Sequence, residues 1–297
     1  MRFTKPPLAI ADQVQLLLDR GMAGDRKLMA ERLAIVSYYR LTAYWHPFRQ
    51  ADHSFIPGTS FDVIWNRYVF DRHLRLLVMD AIERIEIAIR SQLALHHSMT
   101  YGPFAYAVNA ASLPVLKSDQ RKQFKIDIKQ QIGKSKETFV DHFKTHYGDS
   151  HTYLPVWMAT EIMSFGCMLT FYRGCDPAMK RQVAKPFGVH HTVLESWLKA
   201  LNVVRNICAH HGRLWNRVFG VKPMIPNKDS QWHTPVPITG DQIMGMLTLC
   251  QYCLNHIASQ SQWPARLLDL LNRFPEPPRQ DMGIPDNWLS CPIWAIE

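Results

Sequence analysis

Between the turn signal Pro57-Gly58 and the breaker pair Gly102-Pro103 the chain carries one sustained helical pattern, from Phe61 almost to Met99. Phe61, Ile64, Tyr68, Leu74, Val78, Ile82, Ile85, Ile89 and Leu93 recur near the 3.6-residue period. The opposite face carries Arg67, Asp71, Arg75, Glu83, Glu86 and Arg90. Such a helix would be more than about 50 Å long at 1.5 Å per residue, so it either kinks or braces the whole domain. Strand signals are few, and the expected class is all-α, a helical bundle around one long central helix.

Shorter helices are expected on both sides of it. Gln13 to Arg20 and Arg26 to Tyr39 precede it, and Thr59 with Asp62 is a candidate capping box for its start. Leu116 to Ile132, Glu137 to His146, Pro155 to Arg173 and Thr192 to His211 follow. Prolines accumulate from Gly220 to Pro237, which predicts a loop. Thr239 with Gln242 is read as capping a helix through about Ile257, and Ala265 to Phe274 as the last helix. From Pro275 the proline-rich tail is expected to lie extended over the core. The expected division is a helical domain over residues 1–220 and a helical extension with tail over 221–297.

At 297 residues with 47% hydrophobic content the chain can bury a sizeable core. No window nears 18 uninterrupted apolar residues, and MRFTKPPLAIADQ lacks an apolar signal region, so neither a membrane span nor secretion is expected. Six scattered cysteines suit reduced thiols in the cytoplasm. The net charge of +9 and pI of about 9.3 favour polyanionic partners, nucleic acid first.

The segment LNVVRNICAHHGRLWNR, Leu201 to Arg217, sets Arg205, Asn206, His210 and His211 close together. Metal-free cleavage of an RNA phosphodiester needs a proton carrier and a cation that matches the phosphorane. Histidine and arginine supply these. Spacing alone carries little: 20 arginines and 14 histidines give about one Arg-x4-His pair by chance. The company of Asn206, Gly212, Arg213 and Arg217 singles this pair out. A structural reading, in which Arg205 and His211 tie down a helix end through salt bridges, uses the same residues. On a straight helix Arg205 and His210 point about 140° apart. Either a distorted last turn near Gly212 or a two-fold partner brings them together.

RNxxxH at a helix end resembles the signature of HEPN ribonucleases. The longer string RNICAHHGRLWNR resembles the Abi family of bacterial abortive-infection proteins (AbiD- and AbiF-like). SYYRLTAYWHPFR (37–49), the block 57–90, YGPFAY (101–106) and PVWMATEIMSFG (155–166) agree in order, so the similarity spans roughly residues 5–220. The resemblance implies a HEPN-like bundle with extra N-terminal helices. It also implies a phage-defence setting and a metal-independent endoribonuclease, with a composite active site across a homodimer and no cofactor. Cleavage would leave a 2′,3′-cyclic phosphate and a 5′-hydroxyl. In this assignment His210 is the acid–base, Arg205 the phosphate clamp and Asn206 the positioner. His211, Glu161 and Arg213 are further candidates for catalysis or RNA contact.

RNA contacts are expected from Arg40, Arg121, Lys122, Lys125, Lys129 and Arg217, the middle four on one side of a helix. The aromatic block Tyr38 to Phe48 could stack bases, although such clusters commonly form core. Arg90 with His96 and His97 makes a weaker second half-site, with helix packing as its alternative. Cys250, Cys253 and His256 lack a fourth ligand and read as an apolar stripe rather than a metal site. The alternative function is a non-catalytic module that holds a structured or non-coding RNA.

Overall fold

The computed structural model describes residues 6–295, and among the described residues it contains thirteen α-helices and no strand. The all-α expectation therefore holds. The chain divides into two units: residues 1–75 with 267–278, and residues 76–266 with 279–297. The long helix, α4 (Phe61–Tyr101), contributes to both, and the boundary expected at residue 220 lies inside the second unit.

In the first unit α1 (Ile10–Asp19) packs on α2 (Arg26–Val36), with Leu17, Met29 and Leu33 almost fully buried. Asp25 starts α2 by accepting from the Leu28 N–H at 2.8 Å. The helix expected to reach Tyr39 stops at Val36. Ser37 adopts φ +70° and its side chain caps a new helix, α3 (Tyr38–Trp45). The Thr59–Asp62 box does not form. Thr59 spends its hydroxyl on the Ile56 carbonyl (2.6 Å), Asp62 pairs with Arg32 (2.7 Å), and Ser60 accepts the Val63 N–H at 3.3 Å.

The charged face of α4 also needs correcting. Arg67 and Arg75 are each 6% exposed and Asp71 is 0% exposed. Arg75 pairs with Asp71, which also accepts from the Tyr44 hydroxyl at 2.7 Å. Burial, and Asp71 beside it, push the Tyr44 phenol well above its ordinary range. Arg67 grips Glu276 through Nε and Nη2 and lies 4.4 Å over the Phe48 ring. These charges are interior because each has a matched partner, which periodicity in hydropathy cannot register.

In the second unit the apolar stripe of α4 is core as expected, with Val78, Ile82, Ile85, Ile89 and Leu93 at most 1% exposed. After the short α5 (Ala105–Val108) come α6 (Ser118–Lys134) and α7 (Thr138–Tyr147), close to expectation. The single helix expected over 155–173 is two, α8 (Val156–Ile162) and α9 (Phe165–Gly174). Met163 is extended, and Ser164 caps α9 through the Cys167 N–H at 3.3 Å. Arg90 takes up the carbonyls freed at the break, those of Glu161 and Met163, each at 2.6 Å. Asp176 caps an unanticipated helix, α10 (Pro177–Ala184), by accepting the Ala178 and Met179 N–H groups.

The motif helix, α11 (His191–Ala209), packs against α9, α10 and α12 (Ile243–Ile257). Every residue of α12 from Ile243 to Leu254 is buried. The Thr239–Gln242 box is absent: Gln242 occupies the cap position but sends its amide to the Asp281 carbonyl at 3.3 Å. The last helix, α13 (Trp263–Arg273), anchors its first residue through Trp263 Nε1 on the Leu77 carbonyl. The tail is not simply extended. It folds into short 3-10 turns that bury Trp288 and Trp294, the latter donating to Thr248 Oγ1 at 3.1 Å. Among the described residues no helix is long and apolar enough to cross a membrane.

Candidate functional site

Helix α11 is held by one apolar stripe, Leu194, Trp197, Leu198, Leu201, Val204 and Cys208, all buried. That stripe fixes the roll of the helix and turns Asn206, His210 and His211 outward, where all three are exposed; Arg205 is half-buried. The end of the helix is well defined. His210 is the last, half-helical residue and His211 takes the left-handed conformation, φ +58°. The His211 N–H donates to the Cys208 carbonyl (3.0 Å) and the Gly212 N–H to the Ile207 carbonyl (2.8 Å). These paired bonds close a helix on a left-handed residue. Glycine ordinarily fills that position; here a histidine does. Gly212 follows for a different reason: a Cβ there would come 3.2 Å from Ile207 Cγ2 and 3.3 Å from the Ile207 carbonyl. The helix thus ends where Gly212 led one to expect, in a regular left-handed closure rather than a distorted turn, and both imidazoles stand at it.

Within one chain the turn does not bring Arg205 to His210. The Arg205 guanidinium contacts Asn206 Oδ1 at 3.5 Å, and no hydrogen bond joins it to either histidine among the described residues. Arg205 instead lines a groove with the outer face of α4, beside Asp80, Glu83 and Glu86. Asp80 is engaged by Arg84 and Arg266, and Glu86 by Arg90. Glu83 makes no hydrogen bond or ion pair among the described residues and lines the same groove as Arg205. Nothing in the one-dimensional pattern announces this neighbourhood. It depends on which side of α4 meets α11.

The other candidates are dispersed. Arg213 is half-buried, and its carbonyl accepts from Arg217 Nε at 3.1 Å. Glu161 is exposed in a cleft with Lys134 and Lys136, and no bond connects it to Arg205 among the described residues. On α6, Arg121 donates to the Ala110 and Leu113 carbonyls, and Lys129 sits 5.4 Å over the Tyr153 ring. Lys122 is exposed and Lys125 half-exposed, neither with a hydrogen bond or ion pair among the described residues. Arg40 is exposed in the first unit, next to Tyr39, which is 86% exposed. Tyr44 and Trp45 of the same aromatic block are core.

Arg90 serves the α8–α9 break, and His96 contacts Gln92 at 3.3 Å. His97 is fully buried. Cys250 and Cys253 are buried, and burial pushes both thiols well up, as suits core residues. Among the described residues no three His, Cys, Asp or Glu side chains stand where they could hold a metal ion.

A family model described as Abi-like protein matches residues 31–216, more than half of the chain and all of α11 with its histidine turn. No curated protein and no solved structure matches it.

Proposed function

The chain belongs to the Abi-like family, which supports a role in abortive infection and so in phage defence, and from that premise we propose that it is a metal-independent endoribonuclease of the HEPN type. The observation that carries the reading is the end of α11, where two exposed histidines stand at a left-handed turn and an exposed amide and a half-buried arginine precede them on the last turns of the helix. His210 transfers the proton, between the 2′-hydroxyl and solvent or to the leaving 5′-oxygen. Arg205 compensates the charge that grows on the phosphorane, and Asn206 orients the phosphate. The products are a 2′,3′-cyclic phosphate and a 5′-hydroxyl. Because Arg205 and His210 diverge within one chain, the reading calls for a two-fold partner that sets Arg205 of one copy beside His210 of the other.

The test is cleavage of end-labelled tRNA and mixed RNA in excess EDTA by the wild-type chain and its Arg205→Ala and His210→Ala variants. Cyclic-phosphate products, with a loss of roughly 10²-fold or more in the His210 variant, support the reading. A second reading is favoured by the solvent-facing Lys122 and Lys125 and the charge of +9: a module that binds RNA without cutting it. Equal, salt-dependent RNA affinity in all three proteins with no cleavage selects it.

A further inference from the structure

The second unit contains another concave site that shares no residue with the groove at Arg205. It is a half-open cleft of about 370 Å³ lined by α6, α9, α10, α11 and the segment just before α6. That volume falls at the small end of the range for small-molecule sites, roughly 300–1,000 Å³.

One end of the cavity is cationic. Glu195 on α11 is shared by Lys180 (2.9 Å), Lys199 (2.9 Å) and Arg173 (3.6 Å). Three cations on one carboxylate leave an excess of positive charge. The Lys180 side chain is 9% exposed and committed to Glu195. Arg173 differs: its side chain is 49% exposed, and its contact with Glu195, Nε at 3.6 Å, is longer than a hydrogen bond. Among the described residues its two terminal nitrogens make no hydrogen bond. A guanidinium fork held at a cavity mouth is suited to receive a phosphate through two parallel hydrogen bonds.

The other end is built to read a polar edge. Gln120 and Gln123 lie one turn apart on α6, so their side chains are neighbours. Gln120 uses its carbonyl oxygen on the Lys117 N–H (3.0 Å), which leaves its amide hydrogens as donors. Gln123 uses its amide on Asp127 Oδ1 (2.8 Å), which leaves its carbonyl as acceptor. The second oxygen of Asp127 is a further acceptor. Phe124 and Leu116 supply an apolar wall, and Thr170 offers its oxygen after donating to the Gly166 carbonyl (3.0 Å).

We propose that this cavity binds a mononucleotide. Its phosphate lies on Arg173 at the cationic end, and its base rests against Phe124 and Leu116 with its edge on Gln120, Gln123 and Asp127. Two acceptors beside one donor favour bases that carry an exocyclic amine over uracil. The site does not depend on the nuclease reading.

The experiment is calorimetric titration of the full chain with AMP, GMP, CMP and UMP, adenosine, and inorganic phosphate. It is repeated on Arg173→Gln and Thr170→Leu, with circular dichroism to confirm that both variants fold. The expected result is saturable binding of the amine-bearing nucleotides. UMP and adenosine should bind at least about tenfold more weakly, and both variants should lose about tenfold or more in affinity. No saturable binding at millimolar concentration overturns the proposal. So does binding that survives both substitutions, or inorganic phosphate binding as tightly as AMP.

Discussion

His97, near the end of α4, is 0% exposed and packed against three aromatic rings: Phe171 at 5.0 Å, Tyr101 at 5.1 Å and Tyr106 at 6.4 Å. Neither ring nitrogen has a well-formed hydrogen bond. Burial pushes the imidazole from 6.5 down to about 4, outweighing the opposing effect of the nearby Ser112 backbone. The folded state therefore holds His97 neutral, whereas the unfolded chain takes up a proton near pH 6.5. Stability from this residue is complete above pH 6.5 and is lost as pH falls, levelling off only below pH 4. The full difference is about 3 kcal/mol, at 1.36 kcal/mol for each pH unit between the two values. At pH 5 the loss amounts to about 2 kcal/mol, a large share of a typical domain's stability.

The measurement is urea unfolding from pH 7.5 to 4.5 of the wild-type chain and His97→Leu, a variant of similar volume that cannot be protonated. At pH 7.5 the two should agree within about 1.5 kcal/mol. At pH 5 the variant should have gained about 2 kcal/mol relative to wild type. Other groups titrate in both proteins and cancel in the difference. They include His191, whose pKa burial also lowers. Parallel pH curves would refute the reasoning, since they would mean that His97 meets water or a partner when protonated.

Asp71→Asn should cost about 3–5 kcal/mol, because it leaves the Arg75 guanidinium buried without its counter-charge. Replacing both partners with apolar residues of similar volume should recover most of that loss, read by urea midpoints. Arg90→Met should destabilise by about 2–3 kcal/mol by uncapping the Glu161 and Met163 carbonyls. Hydrogen exchange should show the loosening first at the α8–α9 junction.

Helices whose cores are apolar stripes were legible: α4, α6, α11 and α12 fall close to their expected spans because burial and the 3.6-residue period agree there. The break at Met163 was not, since a guanidinium on α4, distant in sequence, stabilises the open carbonyls. Nor were the buried charges of α4, because Arg67 is satisfied by a glutamate some two hundred residues away. Helix α10 has a readable start in Asp176-Pro177, an N-cap aspartate followed by proline at the first helical position. At the site, Gly212 correctly marked a helix end. That the left-handed position falls on His211, with Gly212 set close against Ile207, is something spacing does not reveal.

That displacement makes His211 worth one further test. A helix that only had to end would place glycine at 211, where a side chain costs about 1 kcal/mol or more, and could leave 212 to any residue with room. Here the strained position carries an imidazole, exposed and adjacent to His210. His211→Gly removes both the strain and whatever the ring contacts. If the turn is held by its backbone bonds to Cys208 and Ile207, the variant should gain up to about 1 kcal/mol and melt a few degrees higher. A loss of stability instead would show that contacts of the ring hold the helix end, and the structural account of His211 would prevail. The same variant separates the two histidines chemically. A more stable chain that still cleaves RNA in EDTA leaves His210 as the proton carrier; a more stable chain that no longer cleaves makes His211 part of the reaction, its strain tolerated for the position it gives the ring.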